Sequence, residues 1–359
     1  MKELISGWFS RRFSDPHAIT LFLLLIFGFG IIYAFGNFMA PLLVALVLAY
    51  LVEWPVQKLM RLGLGRTWAA SLMLLLFLGL MLLFLLVLMP TVWKQTSTLI
   101  SELPTMVDKT REFVLALPQR YPGLVQPEQV SLLVDEIQKH MVGWAQTALG
   151  VTVTSLGNVV ALLIYLILVP LLMFFFLKDK DHLLSSFDRF LPSNRKLAIQ
   201  VWTEMNQQIA NYVRGKVVEI IIVGAASYIV FVLMGLRYSA LLGLLVGLSV
   251  LIPYIGAAVV TLPVALVALF QWGTGSEFLY LMLAYGVIQA LDGNVLVPLL
   301  FSEAVNLHPV AIILAVLFFG GLWGFWGVFF AIPLATLVKA VVNAWPMDGP
   351  TEPRAESQA

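Results

Sequence analysis

Between Gly235 and Leu269 the chain reads GLRYSALLGLLVGLSVLIPYIGAAVVTLPVALVAL, apolar almost throughout yet interrupted by Pro253, Gly256 and Pro263. A straight helix over roughly thirty such residues would be about 45 Å long, whereas a bilayer core is about 30 Å thick. The stretch is too long for one upright crossing and too short for two with a turn between them. A helix–break–helix hairpin that enters a membrane and leaves on the same side fits best. Proline has no backbone N–H and glycine no Cβ, so the break is expected at Ile252-Pro253-Tyr254-Ile255-Gly256.

The plan returns in LHPVAIILAVLFFGGLWGFWGVFFAIPLATLVKA, from Leu307 to Ala340. Gly256 follows Leu236 by twenty positions, and Gly327 follows Leu307 by the same interval. A proline comes after each break, Pro263 and Pro333, and an apolar spanning segment comes before each hairpin, near 217–235 and 276–298. Interrupted segments in matching positions point to a transporter's binding site. Two long, tilted and kinked crossings are the alternative.

Composition sets the class. With 60% hydrophobic residues and a mean hydropathy of +0.94, the chain is read as a multi-pass membrane protein. A net charge of +1 gives no footprint for nucleic acid. The absence of cysteine excludes disulfides, a thiol nucleophile and Cys-based metal or iron–sulfur sites. Neither GxSxG nor HExxH nor a Walker-type loop occurs, so no enzyme, cofactor or metal is expected. Lys2, Arg11 and Arg12 precede an apolar run that lacks an Ala-x-Ala cleavage site and is read as a retained helix.

In order, the chain divides into an interfacial arm at 1–17, with Trp8, Phe9 and Phe13 beside the arginines, and spans 1–3 within 18–90. The first two spans are expected at about 18–36 and 38–56, and the third ends near Pro90. A charged, amphipathic region covers 91–150, with Val92, Leu99, Leu103 and Met106 in helical period and a second such helix from Val130 to Trp144. Span 4 lies at 151–177, a polar helical segment at 178–216, and span 5, hairpin 1, span 6 and hairpin 2 within 217–342. The tail, 343–359, reads as disordered. Lysine and arginine cluster in the arm, the 58–66 loop and 178–216, which makes that side cytoplasmic and the 91–150 region periplasmic. Both termini then face the cytoplasm. The expected fold is all-α and polytopic: six spanning helices, two oppositely oriented re-entrant hairpins forming an inverted repeat, and an amphipathic periplasmic insertion.

Ionisable groups at membrane depth are few and each is expensive, at roughly 2.5–3.5 kcal/mol on insertion scales. Asp292, with Gln289 and Asn294, forms a polar patch in an otherwise apolar span and is the first candidate for a substrate or proton site. Glu219 is a second candidate for proton coupling, although Lys216 lies three residues away on the same face and could simply pair with it. His308, before Pro309, is a candidate gate or a helix start. At the breaks, Pro253, Tyr254 and Gly256 on one side and Gly324, Phe325 and Gly327 on the other would line the substrate path. Half-helix ends there offer free N–H and C=O groups. Tyr254, Trp323, Phe325 and Trp326 would add aromatic walls. Gly243 and Gly247 form a small-xxx-small face.

Taken with these features, NYVRGK (Asn211–Lys216), LIPYIG (Leu251–Gly256), IQALDGNVLVP (Ile288–Pro298), SEAVNLHP (Ser302–Pro309) and GGLWGFWGVFFAIPLA (Gly320–Ala335) resemble the autoinducer-2 exporter (AI-2E) family. RRFSDP (Arg11–Pro16) and LLVALVLAYLVEWP (Leu42–Pro55) extend the resemblance over nearly the whole chain. In that family a glutamine often follows the Arg-Gly pair, where this chain has Lys216. The resemblance implies a Gram-negative inner-membrane protein, a homo-oligomer that is a pentamer in family members, and an elevator-like movement of the hairpin-bearing half. It implies transport of a small polar solute such as a quorum-sensing signal, or alternatively monovalent cation/proton antiport. A reading of another class, from the amphipathic 91–150 region, is a non-transporting scaffold for envelope proteins. Lipid and a small-molecule or ion substrate are the other expected partners.

Overall fold

The computed structural model describes residues 16–120, 155–189, 196–301 and 307–344. The expected arm before Pro16, the second amphipathic helix of the 91–150 region, the connector Ser302–Asn306 and the tail from Trp345 lie outside them. Among the described residues the fold is entirely helical. Six helices there are long and apolar enough to cross a membrane, or seven if one bent pair counts as a single span.

Helix α1, Pro16–Arg61, is unbroken over 46 residues, or about 69 Å. The separate spans expected at 18–36 and 38–56 are therefore one element. Gly36-Asn37 lacks a second breaker beside it, and Pro41 removes only the ladder bond to the carbonyl four residues back. The third span also runs past its expected end. Helix α2, Arg66–Leu83, passes through a π-turn at Phe84–Leu88 into α3, Met89–Arg120. In the π-turn Met89 N–H donates to the Phe84 carbonyl. That five-residue step shifts the register just ahead of Pro90, whose ring would otherwise crowd the carbonyl four back.

The same device occurs at Asp292–Leu296, where Val297 N–H donates to the Asp292 carbonyl just before Pro298. It joins α9, Ser276–Leu291, to the short α10, Val297–Phe301. Helices α4, Ser155–Lys178, and α5, Lys180–Asp188, form the bent pair, at 81°. Helix α6, Lys196–Leu233, merges the expected polar helix and span 5 into 38 residues. No helix end falls at 216/217, because NYVRGKVVE continues the helix without a breaker.

Each interrupted ribbon is a helix–break–helix unit. The first comprises α7, Ser239–Ser249, and α8, Ile255–Trp272. Its two ends meet: the Gln271 amide donates to the Gly235 carbonyl (2.7 Å) and accepts from Arg237 N–H (2.8 Å). The second comprises α11, Pro309–Phe329, and α12, Ala331–Ala344, with Gly324 at φ 58°, ψ −131° inside α11. That conformation is open to glycine and to little else. Both units close so tightly that a Cβ on Gly256 would stand 1.7 Å from the Ser249 carbonyl oxygen, and one on Gly327 would stand 1.8 Å from that of Phe319. Helix α7 packs on α6 through Gly224, Gly243 and Gly247, as small-residue faces allow.

Contacts at the two ends of the bundle fix this frame. At one end Arg66 Nε donates to the Leu177 carbonyl (2.7 Å), while Lys180 pairs with Glu53 (2.8 Å). At the other, α3 docks on the turn before α7. There Gln95 accepts from Leu241 N–H (2.8 Å), and Glu102 binds both Arg237 (2.6 Å) and the Tyr238 hydroxyl (2.7 Å). Burial first, then the bond to Glu102, pushes the Tyr238 phenol up to about 12.

Two predictions follow from these contacts. Gly256→Ala and Gly327→Ala should each lower the melting midpoint of the purified protein, by about 1–3 kcal/mol of overpacking. Gly79→Ala, whose Cβ meets nothing within 4 Å, should not. A Tyr238 phenol raised in the folded state stabilises fully below its unfolded value near 10 and loses that contribution as pH rises through about 12. The advantage of wild type over Tyr238→Phe, read by thermal melting, should be constant below pH ~10 and vanish across that window.

Candidate functional site

The site begins on α6. Tyr212, Lys216 and Glu219 lie at i, i+4 and i+7, so one helical face carries all three. Each is buried: Lys216 is 4% exposed and Glu219 2%. Their partners come from the broken helices. Lys216 Nζ donates to the Val250 carbonyl, the C-terminal end of α7, at 2.7 Å. It also pairs with Glu219 Oε2 at 2.7 Å. One turn away the Tyr212 hydroxyl donates to the Phe329 carbonyl, at the end of α11, at 3.0 Å. Positions one turn apart on α6 thus satisfy the carbonyl at the first break and the Phe329 carbonyl at the α11–α12 junction, whose ladder partner four residues on is Pro333, without an N–H.

Phe301, at the end of α10, closes the arrangement. Its ring lies 5.3 Å from Lys216 Nζ and 5.9 Å from the Tyr212 ring. Gly215 leaves the room it needs, since a Cβ there would come within 2.7 Å of the Phe301 ring. Asp292 opens the π-turn of α9–α10 and lies within electrostatic reach of both Lys216 and Glu219. Its Oδ1 is buried with no hydrogen-bond partner, and the Gln289 amide one turn earlier is buried beside the Tyr285 hydroxyl. The Asp292 oxygen holds open hydrogen-bonding capacity toward the interior. Among the described residues no group of three or more His, Asp or Glu is placed to hold a metal ion.

The breaks themselves touch. Ile252 packs against the cluster of Ala315, Val316, Phe319 and Ala331 in the second unit. Trp323 stacks on Phe29 of α1 at 5.3 Å and on Phe319 at 5.9 Å. Tyr254 stands at φ 62°, ψ −48°, and Ile255 N–H bonds to the Pro253 carbonyl at 2.7 Å across it. That is a γ-turn of the rare, strained hand, an arrangement that costs about 1–3 kcal/mol in a non-glycine residue.

Several expected site residues fall into this picture and others do not. Pro253, Gly256, Gly324 and Gly327 form the breaks, and Asp292 and Gln289 each bury a polar atom, Oδ1 of Asp292 without a partner. Asn294 is exposed and donates to Ala290 O of its own helix (2.8 Å). Tyr254 and Phe325 are exposed as well, so of the expected aromatic walls it is Trp323 that packs inward. Glu219 is paired with Lys216, as its position three residues away allowed, and both side chains are buried. His308 caps α11, its Nδ1 accepting Val310 N–H at 3.3 Å.

Sequence reasoning missed Tyr212 and Phe301, and it treated Lys216 only as a neighbour of Glu219. The available signal was the 212/216/219 spacing, which puts three hydrogen-bonding side chains on the apolar stripe of a buried helix. Tyr212→Phe should cost about 1–3 kcal/mol, because it strands the Phe329 carbonyl away from water. Thermal melting checks this, with the exposed Tyr228→Phe as the neutral control.

Comparison with known proteins finds relatives named for transport. A family model described as AI-2E family transporter matches residues 21–347. The PerM protein of Escherichia coli (strain K12), which is named as a permease, is 54% identical over 346 residues, covering 96% of this chain and 98% of that protein. The YueF protein of Bacillus subtilis (strain 168), named as a transport protein, is 27% identical over 84% of this chain and 82% of its own length. The AI-2 transport protein TqsA of E. coli (strain K12) is 25% identical over 90% of this chain and 91% of its own length.

Proposed function

The chain belongs to the AI-2E transporter family, and from that premise we propose that it is a secondary transporter of a small polar solute, working by an elevator-like displacement of its hairpin-bearing unit in the bacterial inner membrane. The observation that carries the reading is that both interrupted units are tied to one face of α6, Val250 of the first to Lys216 and Phe329 of the second to Tyr212. Broken helices whose ends meet near membrane mid-depth are the usual construction of a solute site in secondary transporters. Asp292 Oδ1, buried and unpartnered within electrostatic reach of Lys216, offers an acceptor to such a solute.

Hairpin 1 is taken to be re-entrant from the periplasmic side. In support, α7 has 11 residues, about 16 Å, too few to cross. Gln271 also ties the far end of α8 back to Gly235 and Arg237. Hairpin 2 would enter from the cytoplasmic side, completing an inverted repeat, with His308 at its mouth. The relative TqsA is named for AI-2 transport, which makes autoinducer-2 the first solute to try. Assembly as a homo-oligomer, with the amphipathic region periplasmic, belongs to the same proposal.

Monovalent cation/proton exchange is the second reading. The grouping of Lys216, Glu219 and Asp292 in so apolar a chain favours it.

Two measurements test these statements. In proteoliposomes, Asp292→Asn should reduce pH-gradient-driven flux of the solute at least about 10-fold if Asp292 couples protons; unchanged flux removes that role. Single cysteines, unambiguous in a chain without any, give the topology. A cysteine at Gly273 should react with an impermeant maleimide from the same side as one at Lys94. Reaction from the side of Lys58 would make α7–α8 a crossing and end the hairpin mechanism.

A further inference from the structure

We propose that the Lys216 ammonium is a tethered cation, permanently filling the position that a free monovalent cation would occupy between α6 and the first helix break. Its surroundings are those an alkali ion takes in a broken-helix site. One is a buried carboxylate, Glu219 Oε2, at 2.7 Å. Another is the carbonyl at the C-terminal end of a half-helix, Val250 O, at 2.7 Å. Such ends carry partial negative charge and coordinate coupling ions elsewhere. The third is an aromatic face, Phe301, at 5.3 Å, which attracts a cation through its quadrupole. Asp292 Oδ1, buried and unpartnered, adds an oxygen of the right chemistry close by.

The lysine side chain is nearly inaccessible, 4% exposed, so it does not compete for this position from solvent. It resides there. Arg214, the neighbouring cation on α6, is turned away and bonded to Ala210 O (3.0 Å) and Asn211 Oδ1 (2.7 Å). Glutamine at position 216 would keep a donor for the Val250 carbonyl but leave the Glu219 carboxylate without a counter-charge. Lys216→Gln would therefore open beside Glu219 and the Val250 carbonyl a position of the charge and coordination that suit a sodium ion.

The consequence for coupling rests on the transport reading above: closure of hairpin 1 on α6 needs no sodium in this chain. Occupancy itself can be tested without flux. Wild type, Lys216→Gln and Lys216→Gln/Glu219→Gln are purified as full chains in lipid nanodiscs, in parallel preparations with sodium chloride or with equimolar choline chloride throughout. Thermal midpoints are then recorded against added sodium. Wild type should melt at the same temperature in both salts. Lys216→Gln should melt lower in choline and regain on the order of a few degrees, saturably, with sodium. The double variant should show no sodium response, because the carboxylate that holds the ion is gone.

The proposal is overturned if Lys216→Gln ignores sodium, or if wild type gains as much from it. It is also overturned if the double variant still responds, or if Lys216→Gln fails to fold in sodium as it does in choline. Loss of solute flux would leave a positive sodium result standing, and a negative one would leave the transport reading standing.

Discussion

Breaking a helix inside an apolar protein leaves carbonyls that water cannot reach, and each such group, left unpaired, carries a penalty of several kcal/mol in hydrocarbon. Here both interrupted units hand such carbonyls to one helix. Lys216 takes Val250 and Tyr212 takes Phe329. The lysine creates a second debt, since a buried ammonium needs a counter-charge, and Glu219 settles it three residues along the same face. The whole arrangement then depends on α6 being straight through this region, so that side chains one turn apart reach two different hairpins. This explains why the polar sequence before span 5 and the span itself are one 38-residue helix. A turn at 216/217 would leave both donors on one segment and carry the Glu219 counter-charge away from Lys216.

The break positions were readable because local chemistry decides them. Pro253 lacks the N–H, Gly324 adopts a backbone that L side chains rarely take, and the closures of Gly256 on Ser249 and Gly327 on Phe319 need the missing Cβ. Helix ends elsewhere were misplaced for the converse reason. At Gly36, Pro90 and Lys216 a polar residue, a lone proline or a charge suggested a boundary, yet none of these removes more than one ladder bond. The π-turns at Phe84–Leu88 and Asp292–Leu296 absorb a proline without ending the helix, and periodicity alone does not reveal them. Of the site, Asp292, Gln289 and Glu219 were legible as ionisable or amide groups in apolar segments. Tyr212 and Phe301 were not. Both residue types are common in membrane cores, and only the distant partners Phe329 and Lys216 give them a role.

The two breaks are built differently, and the difference bears on how they could move. The second places glycine at its one left-handed position, Gly324, where the conformation carries little strain. The first places Tyr254 in the left-handed half of the map with a three-residue hydrogen-bonded turn across it. Strain of that kind persists only where neighbouring structure over-determines it. What over-determines it here is the tie at Val250 on one side, the Gly256–Ser249 closure on the other, and the Gln271 bonds that clamp the open ends together. Releasing the Lys216 contact would remove one of these restraints and let the turn relax.

A stored conformation on the first hairpin and a relaxed one on the second make the hairpins unequal partners. The strained unit is also the one gripped at its far end, where Glu102 and Gln95 of α3 hold Arg237, Tyr238 and Leu241. The second unit packs its α12 limb along α1 and the first turns of α6 through Leu21, Val201, Met205 and Ala340, and the Tyr212–Phe329 bond fastens it to the same helix. Hydrogen bonds define discrete positions, whereas apolar surfaces of similar shape permit sliding. For the second unit that position is the Tyr212–Phe329 bond, which any movement along α6 must open. The Lys216, Glu102 and Gln95 bonds around hairpin 1 act as latches that must open or travel as a unit. Because Tyr212 and Lys216 share one helix, a shift that frees one unit changes the geometry at the other, and that coupling needs no contact beyond those two side chains.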